Sequence, residues 1–135
     1  MNQKFHKSRE FIKYCFVGAS GVFVNMGVLV ILTRFFHLSI EYASPFAIET
    51  AIISNFVLNN IWTFRSRTVE TSLLKRFIRF HMVALAAGLV NYTILLSLVY
   101  GLDLLDIIAN LIGIAAAMMV NYLLNSRWTW KKHSM

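Results

Sequence analysis

One stretch constrains this chain more than any other. Asn55-Phe-Val-Leu-Asn59-Asn-Ile-Trp62-Thr63-Phe64-Arg65 returns 66 residues later as Asn121-Tyr-Leu-Leu-Asn125-Ser-Arg-Trp128-Thr129-Trp130-Lys131. Both copies close a long apolar run. On a helix, steps of four and then three residues bring Asn, Asn and Trp within about 40° of one direction at 100° per residue. Each copy therefore reads as a polar stripe on a greasy helix, ending in an aromatic belt residue and a cation. A membrane-spanning helix leaves the bilayer on the cytoplasmic side in this way.

The duplication extends well beyond the motif. Residues 11–65 align with 77–131 without a gap, and 16 of the 55 pairs are identical. Composition bias alone would match some Leu, Val and Ala. It would not match three Asn pairs (25/91, 55/121 and 59/125) together with a Trp-Thr pair. An internal repeat governs the architecture wherever it occurs. Each unit holds two apolar runs, so both enter a membrane in the same sense. The expectation is a parallel repeat about an axis along the membrane normal.

The composition fits lipid better than water. Of 135 residues, 58% are hydrophobic and 14% are charged, where soluble domains are nearer half apolar and a quarter charged. Four runs, at about 14–32, 43–61, 80–100 and 107–124, are each close to the ~20 residues needed to cross hydrocarbon. The predicted fold is an all-α membrane protein with four transmembrane helices, built as two parallel repeats of two helices in one transmembrane domain spanning 1–135. The central loop, residues 65–79, contains Leu73-Leu-Lys-Arg-Phe-Ile-Arg, which reads as a helix lying in the interface. The first run is too long for a signal-peptide core and has no clear cleavage site, so it reads as uncleaved.

Charge sets the orientation. Of the 13 Lys and Arg, 12 lie in the N-terminus, the central loop and the tail, and only Arg34 lies in the other two links. Those links carry Glu41, Asp103 and Asp106 instead. The positive-inside rule then places both termini and the central loop in the cytoplasm. The net charge of +7 is thus topological and suits anionic lipid head groups. It does not point to nucleic acid.

Polar residues within the runs are the candidate site. Asn25 and Asn91 sit at equivalent places in the first and third runs. Asn can hydrogen-bond across a helix contact, a bond worth only about 0.6 kcal/mol on average in membrane bundles, so six such residues can simply hold helices together. Three matched pairs in a duplicated frame point further, to a polar groove. Glu49 has no counterpart, since Ala115 stands there. It lies roughly 9 Å inside the outer end of its run at 1.5 Å per residue, and an intramembrane carboxylate is by default a functional residue. Trp62, Trp128 and Trp130 read as belt anchors. Arg65, Arg67, Arg127 and Lys131 read as topology determinants or as a cytosolic lip that captures phosphate, bidentately by Arg and as a point charge by Lys.

Several chemistries are missing from the sequence. There is no G-x4-G-K-S/T phosphate loop, no converging Ser-His-Asp or Cys-His set, and no carboxylate pair within the runs. The single cysteine, Cys15, excludes an internal disulfide, and the four His show no ligand spacing. No catalytic residue, metal or cofactor is expected, and the chain does not read as an enzyme.

These residues resemble a known family. Four short spans, Lys13-Tyr14-Cys-Phe-Val17-Gly18 at the start, an Asn in the first span, and Asn-x3-Asn-x2-Trp-Thr-Phe-Arg closing the second are similar to the GtrA-like family, over residues 9–132. The family usually carries Arg after the second Asn, where Asn60 and Ser126 stand here. The resemblance implies flipping of a polyprenyl-phosphate-linked monosaccharide from the cytoplasmic to the outer leaflet of a bacterial or archaeal inner membrane, for cell-surface polysaccharide such as O-antigen. It implies membrane glycosyltransferases as partners. The substrate-binding positions it implies are Lys13, Asn25, Asn55, Asn59, Trp62 and Arg65, with Arg79, Asn91, Asn121, Asn125, Arg127, Trp128 and Lys131 in the second copy. Glu49 is added from the reading above as a proton or polar coupling group. A homodimer is expected, because four spans leave little interior and small-residue faces invite pairing. Two other readings remain: an adaptor that recruits a glycosyltransferase, and a small multidrug exporter.

Overall fold

The computed structural model describes residues 2–67 and 69–131, with backbone only at residues 2–5 and 106. The side chains of Lys4 and Asp106, and the tail residue Lys132, therefore lie outside the described set. Among the described residues the chain is helical with no strand. Its α-helices are α1 (Asn2–Val30), α2 (Ile40–Leu58), α3 (Leu73–Leu102) and α4 (Asp106–Leu124). Three π-helical turns continue them: π1 (Ile31–Phe35), π2 (Asn59–Thr63) and π3 (Asn125–Thr129). The chain divides into two compact units, Met1–Ser66 and Arg67–Met135.

The first unit is α1 packed along α2. Tyr14, Val17 and Gly21 form the buried edge of α1, and Ala43, Ala47 and Ala51 form that of α2. The spacings of three and four residues hold each set on one helix face. Small side chains at four-residue steps let two helices approach closely. The second unit packs α3 along α4 and buries the residues 66 positions on: Phe80, Val83 and Ala87 on α3, and Ala109 and Gly113 on α4.

Helix ends recur at the same offset. α2 and α4 occupy equivalent ranges, as do π2 and π3. α1 with π1 stops at His37 and α3 stops at Asp103, both with φ of 52°. Left-handed residues commonly end helices, and Asp and His tolerate that conformation better than most. Beyond each, a leucine amide bonds a carbonyl six residues back, Leu38 to Leu32 at 3.0 Å and Leu104 to Leu98 at 3.1 Å. Ser72 caps α3 by accepting from the Lys75 amide at 3.4 Å. Glu41 lies in the first turn of α2, where the helix dipole favours an anion. Its own backbone amide and then the Ser39 hydroxyl hold its carboxyl below the usual range.

One expectation changes. The basic-apolar segment at residues 73–79 is not a separate interfacial helix. It forms the first turns of α3, which runs unbroken to Leu102. Charged and apolar residues at helical spacing read alike whether a helix lies flat or continues into a longer one. Among the described residues, three helices are long and apolar enough by themselves to cross a membrane: His6–Phe35, Leu73–Leu102 and Ile107–Thr129. In α2, Glu41, Pro45, Glu49 and Asn55 dilute the apolar run. Outside the two small cores, large apolar side chains such as Phe23, Leu85 and Tyr100 are exposed.

Candidate functional site

Each motif copy folds into an α-helix that widens into a π turn. In π2 the Phe64 amide bonds the Asn59 carbonyl at 2.9 Å, and in π3 the Trp130 amide bonds the Asn125 carbonyl at 2.8 Å. A π turn takes one extra residue per turn and often marks a functional site. It also turns the chain through fewer degrees per residue. Trp62 consequently lies off the asparagine face, 45% exposed, while Asn59 and Thr63 are each 2% exposed. The polar row of each copy is therefore Asn-Asn-Thr and not Asn-Asn-Trp. The four-residue spacing of 55, 59 and 63 carried that signal.

The second copy closes this row on itself. The Thr129 hydroxyl donates to Asn125 Oδ1 at 2.7 Å, and the Asn125 amide donates to Asn121 Oδ1 at 2.7 Å. In the first copy no such chain forms. Asn55 Oδ1, Asn59 Oδ1 and Thr63 Oγ1 are buried without a hydrogen-bond partner among the described residues.

One position separates the two arrangements. Asn55 leans onto Gly21, where a Cβ would lie 2.6 Å from Asn55 Nδ2 and 2.8 Å from Cγ. The equivalent of Gly21 is Ala87, whose methyl leaves no room for that pose. Asn121 instead pairs along its own helix. The converse holds deeper in the units. Asn91 leans onto Gly113, and Ala47 stands at the position equivalent to Gly113.

Aromatic and cationic residues frame each row. Tyr14 tilts against Phe64 at 6.1 Å between ring centroids, and Phe80 meets Trp130 edge-on at 5.7 Å. Lys13 Nζ lies 5.4 Å from the Trp62 ring centroid, and the Arg79 guanidinium lies 5.3 Å from that of Trp128. Both are cation–π contacts. The second copy adds main-chain clasps. Arg67 donates to the Ser126 and Trp130 carbonyls, and Arg79 donates to the Trp128 carbonyl at 3.0 Å.

The remaining candidate positions are more scattered. Arg65, Arg127 and Lys131 are exposed, Asn25 is half-buried, and Glu49 is exposed on α2, off its alanine face. Sequence reasoning passed over Thr63, Thr129 and Gly21 as site residues, and it read Arg67 as part of a phosphate lip where the side chain clasps main-chain carbonyls. It also passed over Glu10, which is 3% exposed and lies 3.5 Å from His6 Nδ1.

A family model of the GtrA/DPMS transmembrane domain matches residues 13–130. The chain belongs to that family. It is thereby a multi-pass membrane protein related to polyprenyl-phosphate-sugar metabolism. A relative with this GtrA/DPMS part is the protein named dolichol-phosphate mannosyltransferase in Pyrococcus furiosus, 37% identical over 121 residues. The match covers 88% of this chain and 33% of that protein. The chain thus spans about a third of the relative's length, and the mannosyl transfer in the name belongs to the relative.

Proposed function

We propose that this GtrA/DPMS protein moves a polyprenyl-phosphate-linked monosaccharide from the cytoplasmic to the outer leaflet. The observation that carries this reading is the Asn-Asn-Thr row at the end of the first apolar helix pair, where Asn59 and Thr63 are buried and three side-chain oxygens lack partners among the described residues, beside Trp62 and Lys13. The prenyl tail stays in lipid while the head crosses. The head needs partners in place of water, because an unpaired polar group in hydrocarbon costs several kcal/mol. Asn offers sugar hydroxyls both donors and an acceptor. Lys13 and Arg65 in the first copy, and Arg79, Arg127 and Lys131 in the second, supply charge for the phosphate. The chain itself performs no bond chemistry. Membrane glycosyltransferases make the carrier inside and use it outside, toward cell-surface polysaccharide.

In this reading the protein is a homodimer of four-span chains in a bacterial or archaeal inner membrane, each made of two parallel repeats. The fourth span lies in α2, beyond Glu41. α2 matches α4 in length at 19 residues each, about 28 Å at 1.5 Å per residue, and packs along α1. Both termini are cytoplasmic. Cysteines placed singly at positions 4 and 104 should label from opposite sides, position 4 from the cytoplasm. Cytoplasmic labelling at position 104 would sink this topology.

The function itself is tested in proteoliposomes. The purified chain should carry a fluorescent polyprenyl-phosphate hexose from one leaflet to the other without ATP. A folded protein that moves none, yet co-purifies with a glycosyltransferase, would point to the adaptor role.

A further inference from the structure

We infer that the two repeats divide the work: the first copy's row reads the hydroxyls of the sugar, the second copy's row is structural, and Gly21 decides which is which. This rests on the flipping function proposed above and names the part of the head group that one half recognises.

The argument begins with what each row has left to bond. In the second copy, Thr129, Asn125 and Asn121 satisfy one another in sequence, and Asn125 is fully enclosed. Little capacity remains there for a ligand. In the first copy, two amide oxygens and a hydroxyl oxygen are buried without partners. Buried polar atoms are nearly always paired, so a cluster of three at one helix end calls for an explanation. All are oxygens, and two can only accept. Such a set suits hydroxyl donors and not an anionic phosphate, which brings more acceptors. The phosphate belongs with the cations that flank the row, Lys13 against Trp62 and exposed Arg65.

Asn59 and Thr63 are too enclosed to be reached without movement of α1 against π2. The unpaired oxygens supply the reason for such movement. They make the closed α1–α2 contact costly, because burying an unpaired acceptor carries its full desolvation penalty. Sugar hydroxyls entering between the helices recover that cost. The second unit has no comparable reason to part at π3, where the row is paired and Arg67 and Arg79 clasp its carbonyls. The first unit is then the half that opens to ligand, and the second is the rigid half.

Gly21 keeps the first row unpaired by giving Asn55 room to lean across. A methyl there, as at Ala87, turns Asn55 back toward Asn59 and completes the Thr63-Asn59-Asn55 chain. Gly21→Ala should therefore raise the melting temperature in detergent while lowering hexose-lipid transport at least tenfold. Thr63→Val, which removes an unpaired hydroxyl, should hold or raise the melting temperature and also cut transport. Thr129→Val should do the reverse, lowering the melting temperature and leaving transport near that of the parent. Binding of bare polyprenyl phosphate, without the sugar, should be unchanged by Gly21→Ala and Thr63→Val.

The outcomes separate the two readings. If the parent chain moves no hexose lipid, the proposed function falls and this inference falls with it. If the parent transports and both Gly21→Ala and Thr63→Val transport at the parental rate, only the inference is overturned. Loss of bare polyprenyl-phosphate binding in those two variants would overturn it as well, because the row would then be reading phosphate. Should Gly21→Ala fail to fold, the Thr63→Val and Thr129→Val pair carries the comparison alone. Equal effects in that pair on both readouts would refute the division of labour.

Discussion

Gly113→Ala is expected to push α4 away from α3 and to cost about 1–3 kcal/mol of stability, the usual range for overpacking. A Cβ at this position would run into Asn91 Oδ1 and would lie 3.4 Å from Asn91 Cγ and 3.0 Å from the Asn91 backbone oxygen. A side chain can turn aside, but a helical carbonyl cannot without moving its helix. Gly21→Ala meets side-chain atoms of Asn55 alone among its nearest neighbours, so rotation relieves it. Gly18, Gly27 and Gly88 have nothing within 4 Å of an added Cβ, and alanine there should be close to neutral. Thermal unfolding of the detergent-solubilised variants would rank them. If Gly113→Ala melts with Gly88→Ala, the close approach of α3 and α4 at Asn91 is wrong.

Asn125→Ala is expected to cost far more than Asn59→Ala, although the two residues are equivalent in the repeat. Truncating Asn125 strands the Thr129 hydroxyl and Asn121 Oδ1. Each stranded buried group costs about 1–3 kcal/mol in water-soluble proteins, and hydrogen bonds in membrane bundles average about 0.6 with a maximum near 1.7. The loss should therefore total about 1–3 kcal/mol. Asn59 carries an oxygen that has no partner to lose, so Asn59→Ala removes a penalty along with some packing and should come out near zero. Equilibrium unfolding of both variants reads the difference. Equal destabilisation would mean that the two rows are bonded alike.

The sequence carried the helical character of the chain and the places where polar groups interrupt it, because both follow from composition and from a motif specific enough to be seen twice. Its errors have separate causes. The stripe was drawn at 100° per residue, and the chain leaves that geometry at Asn59 and Asn125. Nothing in apolar periodicity announces a π turn, so Trp62 was placed on the face that Thr63 occupies. The segment at residues 73–79 was set apart from the following span by its charge, which says where a helix meets water but not whether the backbone breaks there. Gly21 and Gly113 were visible only as small residues. Which asparagine leans on each requires the neighbouring helix, and the unequal bonding of two nearly identical motifs requires both.

Because each half keeps its close glycine where the other keeps alanine, the halves are not interchangeable parts. A chain made of the first half twice would have two unpaired Asn-Asn-Thr rows, and a chain made of the second half twice would have two paired ones. A descendant assembled from like halves would be loose at both ends or sealed at both. Duplication made two matching helix pairs. The exchange of a hydrogen for a methyl at two reciprocal places is what made them differ, and a rearrangement that restored perfect sameness would undo it.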